Sequence, residues 1–260
     1  MFAPNNGSFT QLKTQDSASL WRYLDFTKFV SLLDTETLFF CRADRFADPF
    51  EGATTKKTVE HRLEYVENLV SKYSLIEDRD DYRRKMETLY KNQFHIRKRV
   101  AINCWHRNEY ESEAMWKLYV PSNEGVAIKT TVARLKDSLS ESEEMIKIAD
   151  VMYKDYNDIV FSPNNLFTPF ITKRKSFEHE NEVRAYIIKD IGDLNKHIEL
   201  HETPIDSGIS VKIDLNILID EVYISPTAPS WFLMLVKSVL KKYDLQHVVN
   251  QSALSEEAYF

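Results

Sequence analysis

Glycine is scarce in this chain: there are five in 260 residues, at Gly7, Gly52, Gly125, Gly192 and Gly208. No two lie close enough to form a loop in which bare backbone amides wrap a phosphate, so a Walker loop and a Rossmann fingerprint are both excluded. Cysteine is scarcer still. Cys41 and Cys104 are far apart in sequence, which leaves neither a disulfide scaffold nor a cysteine-rich zinc site, and both read as buried apolar residues. No apolar run approaches the roughly 20 residues of a membrane span, and the opening MFAPNNGSFTQLKTQ has neither the basic nor the apolar region of a signal peptide. The expectation is a cytoplasmic protein with no membrane partner. An excess of positive charge is missing too. The 34 Lys and Arg against 40 Asp and Glu give a net charge of −6, which argues against a wholesale grip on nucleic-acid phosphates but leaves room for a local basic groove.

What the chain does have is apolar and aromatic material, 43% and 12% of its residues, enough for a substantial core. Residues 1–18 are polar and aperiodic and read as a flexible arm. Residues 19–255 contain no repeat, low-complexity tract or proline-rich linker and read as one α+β domain. LWRYL suggests a strand. Thr27 then caps a helix with Phe26, Phe29, Val30 and Leu33 on its apolar face, and LFFCR is a second strand. Val59, Leu63, Val66, Val70 and Tyr73 form one helical stripe, and Tyr82, Met86, Leu89, Tyr90 and Phe94 another, so a helical hairpin is inserted at about 56–97. RVAINCW, GVAIKT, MIKIADVMY and NEVRAYII read as strands. Near the C-terminus, EVYIS, a helix from Ser230 with Phe232, Leu235, Val236, Val239 and Leu240 inward, and LQHVVNQ suggest a parallel crossover.

Three places concentrate chemistry. INCWHRNEYESEAMWKLYV (102–120) runs from a strand through a charged turn into a helix. Met115, Trp116 and Tyr119 there make a plain core stripe, whereas at least one of Trp105, His106 and Arg107 should face a cleft. FCRADRFADPFEG offers Asp44, Asp48 and Glu51 as oxygen ligands for a divalent metal, although Asp48-Pro49 is equally a turn and Phe46 and Phe50 plugs. In RKSFEHENEVRAYI, a period of two puts Glu180, Glu182 and Arg184 on one strand face and Val183, Ala185 and Ile187 on the other. Two carboxylates beside a guanidinium are costly there unless paired or used. His197 and His201 could share a metal on a helix but lack a third ligand.

Together WRY (21–23), FADPFEG (46–52), CW (104–105), ESEAMWKLY (111–119), GVAIKT and ENEVR (180–184) resemble a bacterial family catalogued as domain of unknown function 2971 (DUF2971). More distantly, the plan is similar to that of small NAD-consuming ADP-ribosyltransferases. That resemblance implies mixed, twisted sheets around a central cleft, with NAD as a substrate clamped without a glycine loop. It implies that Arg22 meets a phosphate or ribose, that Tyr23 or Trp105 stacks on nicotinamide or adenine, and that Trp116, Tyr119 and Ser112 belong to a second motif. Glu182, hydrogen-bonded to the ribose, would stabilise the oxocarbenium-like transition state, Glu180 would orient the acceptor, and Arg184 would complete the cofactor site. The partners implied are a small-molecule nucleotide and an acceptor, either a macromolecule (protein or nucleic acid) or water. The implied role is a phage-defence or toxin-like effector, and no resident metal is required. Two other readings stand beside it. One is a metal-dependent nuclease or phosphodiesterase built on Asp44, Asp48 and Glu51, perhaps with Glu182. The other is a non-enzymatic nucleotide or peptide sensor.

Overall fold

Strand β1 (Ser19–Asp25) is followed by helix α1 (Phe26–Thr35) and strand β2 (Thr37–Arg42) in a computed structural model that describes residues 12–72, 94–162, 165, 167–190 and 203–256, with residues 80, 81, 84, 88 and 92. Asp25, rather than Thr27, caps α1: its carboxylate accepts from Lys28 N at 2.8 Å. The helix ends at Glu36, which takes the left-handed conformation with φ 50°. Helix α2 (Lys56–Lys72), β3 (Val100–Arg107), α3 (Glu113–Tyr119), β4 (Gly125–Thr131), α4 (Val132–Ser138), β5 (Ile146–Asp150) and β6 (Met152–Lys154) follow. Beyond them come β7 (Thr172–Arg174), β8 (Glu182–Ile188), β9 (Gly208–Lys212), α5 (Leu215–Leu218), β10 (Glu221–Ile224), α6 (Ser230–Lys242) and β11 (Val248–Gln251). The architecture is α+β, with a mixed, twisted, open sheet.

Among the described residues nine strands join in the order β11-β10-β4-β1-β3-β2-β9, with β8 on the other edge of β3 and β5 beyond it; β6 and β7 form a separate parallel pair. The C-terminal crossover is parallel as expected, Glu221–Ile224 pairing with Val248–Gln251. On one sheet face Leu20, Leu24, Leu38, Phe40, Trp105, Val183 and Ile187 pack under α1, α4, α5 and α6 in the main core. The opposite face is divided. Trp21, Tyr23 and Ala127 pack under Met115, Trp116 and Val120, while Val100, Ile102 and Tyr186 pack with Ala43, Ile96, Phe170 and Ile171.

One edge of β3 is shared by two strands. β1 pairs with it only at Leu20 and Trp21, opposite Arg107 and His106, and β2 only at Cys41 and Arg42, opposite Ile102 and Ala101. Between them, opposite Asn103 to Trp105, the sheet opens as a wedge. Side chains replace the missing ladder there: Arg22 donates to the Cys104 carbonyl at 3.0 Å and Asn103 to the Phe39 carbonyl at 2.9 Å. The buried amides of the wedge are thus partly satisfied without a strand.

Two sequence expectations change. Leu63 on α2 is half exposed, and Thr58 and Arg62 face inward instead. The reason is the anchoring of the helix start: Thr58 N donates to the Thr55 hydroxyl, and the Thr58 hydroxyl accepts from Phe161 N at 2.8 Å, which sets the rotation of the helix. The side chains of Val66 and Val70, and Tyr73 with most of the second hairpin helix, lie outside what the structure describes, and Phe94 is exposed. Within the expected N-terminal arm, Lys13 N and Thr14 N both donate to the Asp150 carboxylate, so this part is docked.

Candidate functional site

Between the two apolar clusters of the divided face runs a polar seam. Its floor is set by strand register. Trp21, His106 and Glu182 lie side by side on β1, β3 and β8, and Cys104 lies beside Arg184 in the row before. Paired residues in adjacent antiparallel strands share a face. His106, Cys104, Glu182 and Arg184 therefore all project into the seam, as period two in NEVRAYI requires.

Five ionisable groups meet there. Arg184, with no solvent exposure, donates to Glu182 at 2.6 Å, to both oxygens of Glu51 at 2.8 and 2.9 Å, and to the Phe170 carbonyl at 2.8 Å. The Lys173 ammonium contacts Glu182 at 2.8 Å, Glu51 at 3.4 Å and the Glu180 carboxylate. Glu182 N donates to the Tyr153 hydroxyl. Three carboxylates thus face two cations in a buried setting, where an unbalanced charge is expensive.

The carboxylates answer this by separating in protonation. Burial pushes Glu180 up to about 8, and its hydrogen bond to Glu182 and that residue's charge add to the effect. Burial alone would raise Glu182 as well, but Arg184 and Lys173 overcome it and hold Glu182 well below the usual carboxylate range. The two shifts are opposed, so near neutral pH the seam favours a proton on Glu180 and an ionised Glu182. Two of its neighbours favour their uncharged forms. Burial raises the Cys104 thiol well above its ordinary value, so it is no thiolate nucleophile, and burial pulls His106 down toward the neutral imidazole.

The structure brings some of the expected site residues together and separates others. Glu180, Glu182 and Arg184 share the seam with Tyr119, a residue 46% exposed as a whole whose phenol end is turned inward, burial raising its pKa and both glutamates, Cys104 and Lys173 acting on it. Arg22 alternates along β1 with Trp21 and Tyr23, so it leaves the opposite sheet face from Glu182, with β3 between them. Strand spacing puts their backbones roughly 10 Å apart. Its guanidinium sits in the wedge, 5.6 Å from the Trp105 ring. The expected meeting of Arg22 and Glu182 in one hollow is therefore replaced by a split arrangement around Cys104, because β-strand alternation fixes which face each side chain leaves.

The aromatic assignments change for a similar reason. Trp105 is buried in the main core. Tyr23 and Trp116 meet edge to face at 4.9 Å beneath α3. The Tyr23 hydroxyl accepts from Ser112 N, and Trp116 Nε1 donates to Glu111 at 2.8 Å. Ser112 caps α3 by accepting from Met115 N. These rings have no free face for a ligand; Tyr119 does. The core-stripe reading accounts for Met115 and Trp116 but not for Tyr119.

The carboxylates once grouped as metal ligands diverge. Asp44 pairs with Arg42 at 2.6 Å, Asp48 with Arg174 at 3.0 Å, and Glu51 with Arg184 and Lys173. Among the described residues no group of three His, Cys, Asp or Glu is placed to hold a metal ion. His197 and His201 lie outside the described residues. Sequence reasoning did not single out Lys173 or Tyr153. Lys173 stands in the basic run TKRKS, where nothing local separates it from Arg174 and Lys175; only the β6–β7 pairing turns it inward.

No protein-family model matches the chain, and no curated protein matches it. Among the described residues no helix is long and apolar enough to cross a membrane.

Proposed function

We propose that the seam performs N-glycosidic chemistry on a nucleotide, as an ADP-ribosyltransferase-like enzyme or NAD glycohydrolase with NAD as its substrate. The observation that carries this reading is the placement of Glu180 and Glu182 on one shared ammonium in a buried seam, where their surroundings shift the two carboxyls in opposite directions. Two titratable groups whose surroundings push their pKa values apart are suited to acid–base roles. The resemblance of the ENEVR segment to the late motif of ADP-ribosyltransferases points the same way.

When the bond between ribose C1′ and nicotinamide breaks, the electron pair leaves with nicotinamide and positive charge develops on the ribose. A fixed, ionised Glu182 stabilises that charge more than it stabilises the ground state. Arg184 and Lys173 act as positioning residues that keep this carboxylate ionised and oriented. Water or an acceptor hydroxyl then bonds to C1′, and its proton passes to the pair, which carries one negative charge and titrates as a unit. Tyr119, exposed beside the two acids, is the ring available to stack on nicotinamide.

A second reading is favoured by the engagement of both Glu182 oxygens by Arg184 and Lys173: the cluster is an internal clamp in a protein that binds a nucleotide or peptide without turnover. One experiment separates the two. Nicotinamide release from NAD is followed by chromatography for the wild type and for Glu182→Gln, with circular dichroism to check the fold. The enzyme reading expects release by the wild type and its loss in the folded variant. Equal release by both proteins removes Glu182 from the chemistry, and binding of NAD without release supports the clamp.

A further inference from the structure

We infer that His106 reads a ribose hydroxyl through Nε2, an inference that rests on the glycosidic reading of the seam. His106 lies directly opposite Glu182 in the β3–β8 register. Its Nδ1 is 2.6 Å from the Glu180 carbonyl oxygen. A carbonyl can only accept, so Nδ1 carries the hydrogen, and in the neutral ring Nε2 presents a lone pair. That lone pair is buried and has no hydrogen-bond partner, in a side chain only 8% exposed.

Buried acceptors without partners are rare because they lose water and gain nothing in return. Nδ1 is accounted for by the Glu180 carbonyl and the ring by its contact with Tyr23 at 6.3 Å; Nε2 is not. The site therefore suits a ligand that brings a donor. Charge decides which kind. Lys173 and Arg184 already engage Glu51, Glu180 and Glu182, so the seam holds its own cations and a neutral hydroxyl fits it better than a further ammonium. His106 and Glu182 are paired neighbours whose side chains share one sheet face, and one hydroxyl of a ribose bonds to Glu182 while the other bonds to Nε2.

The test is a double-mutant cycle between protein and ligand. Calorimetry measures binding of ADP-ribose, and of analogues lacking the 2- or 3-hydroxyl of its terminal ribose, to the wild type and to His106→Asn. Asparagine keeps a donor for the Glu180 carbonyl but has no acceptor at the Nε2 position; His106→Gln restores an acceptor there. The wild type should lose roughly ten- to a hundred-fold in affinity when one hydroxyl is removed. His106→Asn should discriminate less than about two-fold, and His106→Gln should recover part of the difference. Undiminished discrimination by His106→Asn overturns the role of His106 while leaving the seam as a ribose site. Failure of the wild type to bind ADP-ribose or NAD overturns the glycosidic reading and this inference together. Should the variants not fold, the ¹⁵N resonance of wild-type His106 Nε2 decides: it shifts on adding ADP-ribose if a hydroxyl bonds there, and stays in place if none does.

Discussion

Glu180 and Glu182 hold the same ammonium, that of Lys173, and hydrogen-bond to each other. The relationship makes each residue's charge depend on its neighbour. Arg184 and Lys173 outweigh burial and favour an ionised Glu182, whereas at Glu180 burial and the neighbouring Glu182 outweigh the contact with Lys173 and favour the protonated form. Removing any one member should therefore disturb the others.

Arg184→Met is the severest case. It leaves Glu51 and Glu182 buried with one cation between them, and breaking a buried pair in this way costs about 3–5 kcal/mol. Urea unfolding should show that loss, and adding Glu182→Gln to Arg184→Met should recover part of it. Simple additivity of the two changes would mean that the residues are not coupled.

Stability should also depend on pH through Glu180. Its pKa in the folded protein is raised to about 8, against roughly 4.3 for an unperturbed glutamate. The folded state then holds a proton that the unfolded chain releases, so this stabilisation is complete below about pH 4 and declines until the pH passes about 8. Glu180→Gln, which cannot ionise, should gain on the wild type across that interval, by an amount of order a few kcal/mol at its upper end. Denaturation midpoints of the two proteins at pH 5, 7 and 9 check the sign. A constant difference would mean that Glu180 titrates normally.

Trp116 and Tyr119 lie on one short helix and should behave oppositely. Trp116→Ala removes a buried ring packed on Tyr23 and should cost about 3–5 kcal/mol. Tyr119→Ala should change stability by less than about 0.5 kcal/mol and weaken NAD binding roughly ten-fold by removing a stacking partner. Thermal unfolding and calorimetry on the same two variants separate packing from recognition.

Much of this architecture was legible because local rules were strong. Alternation in NEVRAYII gave both strand faces, and apolar periodicity gave α1, α6 and the terminal crossover. The charge cluster was half legible. Glu180, Glu182 and Arg184 are neighbours in sequence, but Lys173 and Glu51 arrive through the β6–β7 pair and through the loop ending at Gly52. That glycine has φ +66°, and a Cβ on it would lie 2.3 Å from the Phe170 ring, so the placement of Glu51 depends on a tertiary contact. Trp105, Tyr23 and Trp116 misled because aromatic density signals a core as readily as a site, and only the strand register says which face a ring occupies. Arg22 was misplaced for the same reason. The wedge that holds it exists because β1 and β2 compete for one edge of β3, which no local pattern encodes.

The central claim is that one carboxyl of the pair is protonated at neutral pH while its neighbour is not. Carbon-13 NMR of protein labelled at the glutamate carboxyls, with Glu180→Gln for assignment, measures this directly. The account predicts one carboxyl resonance, absent from the variant, that titrates with a midpoint near 8, and a Glu182 resonance that remains ionised down to acid pH. Two resonances that both titrate in the ordinary glutamate range would contradict it.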